Sequence, residues 1–508
     1  MLDKKRFFAI LFLIILLGGF LRIYKLGNSS FVADEFLDVN ASYGYFKTGD
    51  WHAWDFNLGA PAERVNDPSD ERAWAYRWQM AQLYKFFPPT EATARAVSVF
   101  WGMISMVAMY LVATSFTKKR AVGLLSATLF ALSVSGIIFD RHVRMYAMFF
   151  PIFLLFSWST FKFLERKYEG DVAWIKKINV EYGLNLMYLV PMLALGALSF
   201  HLHQLTANIA IVVAVYLAVR LVSVYRKTKS LQNKYAVMLA MAVAGFVLVE
   251  IFAKNLIDKF WVTLVFFTTH FSYLNIVLRD YNDVLIAIAF ALLGIYYLVK
   301  TRFLGKEALW LSISFFVPLL FAIFMWRRNV GEQYIFFIQS FEMILIAAGI
   351  YSVAVFFQDS LLQYKKKPFY IASIIAFLIL PNYAYFFQEN NVYNQTSRSE
   401  NPNYRSVFTY FKKNKKPTDV LITRDFRNYY WSGQKVATFD FGGELSQEKF
   451  SLAELQKIMS ENPSGWFIFS GNDKDYISEA VQEYVEQNLE KINAIAVRGD
   501  IGVYRWGN

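Results

Sequence analysis

A polytopic α-helical membrane protein of about eleven transmembrane helices, with a small α/β domain at its C-terminal end, is the fold class this chain predicts. Three observations predict it. Of the 508 residues, 56% are hydrophobic and only 18% are charged, where a soluble protein of this size carries about a quarter charged residues. Long apolar runs recur at spacings that suit bilayer-crossing helices. They are continuous rather than alternating, which excludes a membrane β-barrel. From about residue 388 the composition turns polar, with short alternating segments.

Spans are expected near 7–21, 96–116, 121–139, 146–163, 185–200, 205–223, 235–252, 283–299, 308–325, 335–357 and 369–387. The first begins after Lys4, Lys5 and Arg6 and has no small-residue cleavage site behind it, so it reads as a retained span rather than a signal peptide. With the N-terminus in the cytoplasm, the inner connections are Lys118-Lys119-Arg120, the 162–177 stretch, 226–234, 300–306 and Lys365-Lys366-Lys367. All five are basic, as the positive-inside rule requires. Residues 260–278 are apolar enough to cross, but they hold His270 and are bracketed by Lys254, Lys259, Arg279 and Asp280. A crossing there would turn Lys365–Lys367 outward, so an interfacial or re-entrant segment is expected.

The domain division expected is 1–387 in the membrane and 388–508 outside it. The long first outer loop, 22–95, should carry two surface helices, over 36–46 and 72–87. Trp51, Trp54, Trp74, Trp78, Tyr76 and Tyr84 suit the headgroup layer. In the outer domain, 419–423, 466–470, 495–497 and 502–506 read as strands, and 452–462 and 476–488 as amphipathic helices. The net charge of +12 fits basic inner loops and anionic lipid. No basic stripe interleaved with aromatics sits on a soluble module, so nucleic acid is not an expected partner. The absence of cysteine removes disulfides, thiolate metal sites and thiol nucleophiles.

The chemistry is expected at the outer face. Asp34-Glu35 follows the first span directly. Two outer connections break the charge rule, Asp140-Arg141-His142-Val143-Arg144 and Trp326-Arg327-Arg328-Asn329. A cation beside hydrocarbon is costly without a partner, and the planar guanidinium fork suits phosphate. The blander readings are headgroup snorkelling or pairing with Asp140, Glu332 or Glu250 for the arginines, and a solvated surface pair for the acids. Two arginine clusters and an acidic pair on one side favour a phosphate site with a general base. Neighbouring helical residues point about 100° apart, so only one of the two acids can aim at a given atom, and Asp34 is the expected base. His201 and His203 stand at an outer span end, where substrate hydrogen bonding is a better fit than a shared metal. Glu342 and Glu250 are expected to pair internally.

These residues resemble the GT-C membrane glycosyltransferases, in particular the protein mannosyltransferase and aminoarabinose transferase group. The resemblance lies in Ala33-Asp34-Glu35-Phe36, Gly49-Asp50-Trp51, Tyr76-Arg77-Trp78, Ala94-Arg95-Ala96, Arg141-His-Val-Arg144-Met-Tyr146, and Arg328 through Tyr334. It covers roughly residues 1–360. It implies an inverting transferase that takes a sugar from a polyprenyl-phosphate donor to a lipid, glycan or protein acceptor. Asp34 would deprotonate the acceptor and Glu35 would orient it or the sugar. Arg141, Arg144, Tyr146, Arg327 and Arg328 would hold the donor phosphate. Arg95, His201, His203 and Tyr76 would line the substrate site. No metal or other cofactor is expected from it, though it leaves a divalent ion open. Two other classes stand beside it: a transporter or flippase of lipid-linked saccharides, for which paired half-repeats are missing from the sequence, and a non-catalytic scaffold, which leaves the acids and arginines without a purpose.

Overall fold

The computed structural model describes residues 4–62, 71–252, 254, 264–301, 304–326, 330–361, 367–396, 401–441, 449–492 and 500–507. The chain divides into two compact units: 1–22, 98–140 and 145–385 form the first, and 23–97, 141–144 and 386–508 the second. The first outer loop thus belongs with the C-terminal segment.

The first unit is helical. Among the described residues, seven helices are long and apolar enough to cross a membrane, or nine if two bent pairs each count as one span. The Val284–Lys300 helix, 17 residues long and apolar, is a shorter addition. These make the chain a multi-pass membrane protein. Several expected spans are broken. The 121–139 run is two helices, Arg120–Leu132 and Val134–Asp140, bent by 63°. Ser133 between them is extended, and its hydroxyl donates to Asp280 Oδ2 at 2.8 Å while accepting from Gly136 N. The 185–200 run is preceded by the Ala173–Tyr182 helix at an angle of 105°. The last expected span, 369–387, stops short: its helix is Lys367–Ile379, followed by a 3-10 turn over Tyr383–Phe387. Pro381 lies between them, and proline cannot continue a helix.

Of the 260–278 segment, expected to be interfacial or re-entrant, the described part, 264–278, holds no helix long enough to cross a membrane. Residues 260–263 lie outside the described residues. Leu264 bridges to Trp326, and the backbone then runs along the end of the Gly305–Met325 helix, with Val265, Thr268 and His270 donating to the carbonyls of Met325, Phe324 and Ile323. It ends in a seven-residue helix, Ser272–Leu278, about 10 Å long and far too short to span a bilayer.

Two internal pairings fix this unit. Arg22, wholly buried, meets Asp140 Oδ2 at 2.6 Å and donates to the carbonyls of Phe130 and Ala131. Asp140 is therefore a partner of Arg22. Glu332 pairs with Arg279. The Val284–Lys300 and Gln339–Leu361 helices cross at two glycines. A Cβ on Gly294 would overlap the Leu345 carbonyl, and one on Gly349 the Phe290 carbonyl, the small-residue contact that lets membrane helices approach.

In the second unit, the loop carries helices Ala33–Thr48 and Trp74–Leu83 and a two-residue ribbon, β1 (Trp54–Asp55) with β2 (Ala60–Pro61). Both helices sit where the aromatic periodicity predicts them. Tyr76 and Tyr84, however, are buried at 0% and 5% exposure, whereas Trp74 and Trp78 are exposed. The tyrosines are core residues rather than headgroup anchors. The C-terminal segment forms a five-stranded sheet of order β4-β3-β5-β7-β6: β3 Val420–Thr423, β4 Thr438–Asp440, β5 Gly465–Phe469, β6 Glu490–Lys491 and β7 Gly502–Trp506. β3 is parallel to β4 and β5, and β7 is antiparallel to β5 and β6. Leu455 and Ile458 of the Leu452–Glu461 helix and Val481 and Val485 of the Glu479–Asn488 helix pack with Ile422 and Phe467. The expected strand at 495–497 lies outside the described residues. Phe36 packs edge-on against Tyr404 and Tyr430, which seats the Ala33–Thr48 helix on this segment.

Candidate active site

The Ala33–Thr48 helix opens with three acids that part company at once. Asp34 points outward, its side chain 63% exposed. Glu35, one position on, is wholly buried, as the 100° step between helical neighbours requires. Asp38, one turn after Asp34, is 1% exposed.

Glu35 is saturated. Oε1 accepts from Arg95 Nε at 2.8 Å and from Val143 N at 2.9 Å. Oε2 accepts from Arg95 Nη2 at 2.7 Å and from Val32 N at 2.9 Å. Burial pushes this carboxyl up, but the Arg95 charge and its hydrogen bonds outweigh burial and hold it below the ordinary 4.5. With every lone pair committed, Glu35 is a node tying residues 32, 95 and 143 together. Arg95 itself also donates to the carbonyls of Leu26, Ser29 and Ser30, and so braces the loop entry.

The tight segment 141–144 brings two arginines to the same helix, with different outcomes. Arg141 is 4% exposed and spends its guanidinium on the carbonyls of Tyr24, Lys25 and Val392, lying over the Tyr393 ring at 4.7 Å. That geometry commits it to the protein's own backbone. Arg144 faces the acids. Nη2 lies 3.4 Å from Asp34 Oδ2, and Nη1 lies 3.2 Å from Asp38 Oδ2 and 3.3 Å from the Asp34 carbonyl. Asp38 Oδ1 accepts from buried Arg77 Nε at 2.7 Å. Burial again raises the Asp38 carboxyl, and Arg77, Arg144 and Arg72 more than reverse it, holding it below 3.8.

The structure therefore gathers Asp34, Glu35, Arg95, Arg141 and Arg144 in one unit, and adds Asp38 and Arg77, which the sequence reading did not single out as site residues. The signal was present: Asp38 is i+4 from Asp34, on the same face of a helix. Tyr76 is absent from the exposed surface. Tyr146 and His203 come together in the other unit, hydroxyl to Nε2 at 3.4 Å, with His203 Nδ1 accepting from Leu205 N. His201 is partly exposed two residues before. Arg327 and Arg328 lie outside the described residues. Among the described residues no group of three or more His, Asp or Glu side chains is placed to hold a metal ion.

No protein-family model and no curated protein sequence matches the chain. Solved structures do. The oligosaccharyltransferase of Archaeoglobus fulgidus, tethered to an acceptor peptide, aligns over 93% of this chain and 70% of its own at 12% identity, with a TM-score of 0.57. ArnT of Cupriavidus metallidurans, bound to undecaprenyl phosphate, aligns over 99% of this chain and 98% of its own at 12% identity, with a TM-score of 0.53. The archaeal oligosaccharyltransferase AglB from Archaeoglobus fulgidus, with an inhibitory peptide and a dolichol-phosphate, aligns over 91% of this chain and 69% of its own at 11% identity, with a TM-score of 0.54. At these identities the likeness is one of fold, and the fold of this chain is that of the GT-C membrane glycosyltransferases.

Proposed function

We propose that the protein is a membrane glycosyltransferase that moves a sugar from a polyprenyl-phosphate donor to an acceptor at the outer membrane face, with inversion at the anomeric carbon. The observation that carries this reading is the exposed Asp34 carboxylate with the Arg144 guanidinium 3.4 Å away. One is a base open to solvent and the other a cation for a phosphate. The fold supports it, since neighbours with this fold were solved with undecaprenyl phosphate and with a dolichol-phosphate.

The step needs one base and one cation. Asp34 takes the proton from an acceptor hydroxyl or amine. The freed lone pair attacks the anomeric carbon opposite the phosphate. The carbon–oxygen bond to the phosphate breaks, and its electron pair leaves on the polyprenyl phosphate, where the charge develops that Arg144 stabilises. Attack opposite the leaving group inverts the centre. Glu35 and Arg95 hold the 141–144 segment against the helix, so that Arg144 is in place before the substrate arrives.

The test is to incubate the purified protein with a panel of polyprenyl-phosphate sugars and follow release of polyprenyl phosphate. Turnover of one donor, lost in the Arg144→Ala variant, is expected. A protein that moves such lipids between leaflets of a vesicle and never cleaves them would be a flippase, and the reading would fall.

A further inference from the structure

Three strands of the C-terminal sheet, β4, β3 and β5, run parallel, so their carboxyl ends lie along one edge. From β3 the chain goes to β4 on one side, and from β5 it goes to β6 and β7 on the other. Neighbouring parallel strands whose connections part in this way leave a crevice beyond their carboxyl ends, and open α/β sheets bind ligands there. Here the 3-10 turns Asp425–Trp431 and Gly471–Tyr476 follow β3 and β5. Arg424, Arg427 and Asp473 stand on or beside these turns.

The two arginines are treated unequally. Arg427, 1% exposed, closes both arms of its fork on Asp473, Nη1 to Oδ2 at 2.8 Å and Nη2 to Oδ1 at 2.6 Å. Asp473 Oδ2 also accepts from the N and Oγ of Ser470 at 2.7 and 2.8 Å. Burial pushes the Asp473 carboxyl up, but Arg427 and these bonds outweigh it and hold the group below 3.8. That carboxylate is spent. Arg424, 4% exposed, reaches it only from Nη1 to Oδ1 at 3.9 Å, too far for a hydrogen bond. This is the one ion pair of Arg424 among the described residues, and its buried Nε has no acceptor there. Its guanidinium lies over the Tyr476 ring at 4.0 Å and the Phe426 ring at 4.9 Å. Ring contact uses the face of a guanidinium, whereas its donors lie on the edge. A buried cation without a hydrogen-bonded counter-charge is costly, and native proteins keep such a group where a ligand, an ion or water completes it.

We infer that Arg424 anchors an anion site at the carboxyl ends of β3 and β5, which takes an oxyanion, a phosphate ester or a carboxylate, on the edge of its guanidinium. Two parallel N–H donors match two oxygens of either group. Arg427 and Asp473 are positioning residues. They clamp the turn after β3 to the turn after β5 and keep the crevice in shape. Nothing here depends on the transfer reading, whose phosphate cation is Arg144.

The test is isothermal titration of the full-length protein in detergent with inorganic phosphate and, separately, with glucuronate, at constant ionic strength, with glucose as the uncharged control. The protein should bind at least one of the anions and not glucose. Phosphate alone points to a phosphate-bearing ligand and glucuronate alone to a carboxylate-bearing one, and either result supports the site. To set the proposed donor cation aside, the comparison is made in Arg144→Ala, where the site should persist. Adding Arg424→Gln to that background should weaken the anion at least about tenfold, as loss of a charge-assisted pair of hydrogen bonds requires. Arg424→Lys, which keeps the charge and loses the fork, should weaken it less, at a matched thermal midpoint. Binding of neither anion by the wild type overturns the inference, and so does equal binding with and without Arg424→Gln. Anion binding that disappears in Arg144→Ala belongs to the donor site. It overturns the inference and leaves the transfer reading standing. Where Arg424→Gln does not fold, Arg424→Lys decides, and an unchanged affinity in it is the contrary result.

Discussion

Glu35 and Asp34 differ by one position and by almost everything else. Burial makes Glu35 a structural charge whose four acceptor contacts all go to the protein, and exposure leaves Asp34 open to solvent beside Arg144. Glu35→Gln should leave buried Arg95 without its counter-charge and cost about 3–5 kcal/mol, seen as a lower thermal midpoint in detergent. The pH dependence has a definite sign. Glu35 and Asp38 are both held below their ordinary values of 4.5 and 3.8. Their stabilisation is present above those values and is lost as pH falls through the lowered ones. The midpoint should therefore be flat near neutrality and drop in acid below about 4.5, with a shallower drop in Glu35→Gln. A midpoint that rises on acidification would contradict these assignments. The acidic pair was legible in the sequence because it stands where a polar loop leaves a span. The fate of Arg141 was not, because nothing local says that its donors end on the carbonyls of Tyr24, Lys25 and Val392. Asp38 went unremarked because a single acid inside a helix is usually a solvated one.

At the level of elements, apolar run length located the spans, and the β-rich segments located β3, β5 and β7 within a residue or so. Breaks were harder to read. Ser133 interrupts its helix through a tertiary bond to Asp280, and a serine in an apolar run carries no sign of that. Pro381 was a readable stop, and the expected final span ran through it. The glycine crossing was equally hidden, since Gly294 and Gly349 lie 55 residues apart in sequence. Replacing Gly294 with leucine should force apart the Val284–Lys300 and Gln339–Leu361 helices, because its Cβ would meet backbone that cannot rotate away. The variant should show a thermal midpoint lower by several degrees and reduced yield. Gly245, where nothing lies near the added Cβ, is the control, and its leucine variant should behave like wild type. Equal behaviour of the two variants would remove the crossing from the account.

On the scale of the whole molecule, composition and five basic connections determined the class, and the membrane orientation follows from them as a proposal. The lack of cysteine makes that proposal easy to test. A single cysteine replacing exposed Lys474 should react with an impermeant maleimide added to intact cells, and one replacing Lys229 should react only after lysis. The reverse pattern would put the acidic helix on the wrong side for the proposed donor. The most direct measurement of the central claim is the turnover of a polyprenyl-phosphate sugar by wild type and Asp34→Asn side by side. The account predicts that the variant stays folded, retains the donor, and loses at least about 100-fold in rate, the usual worth of a positioned base. Turnover at the wild-type rate would show that Asp34 is not the base and that the pairing with Arg144 serves some other end.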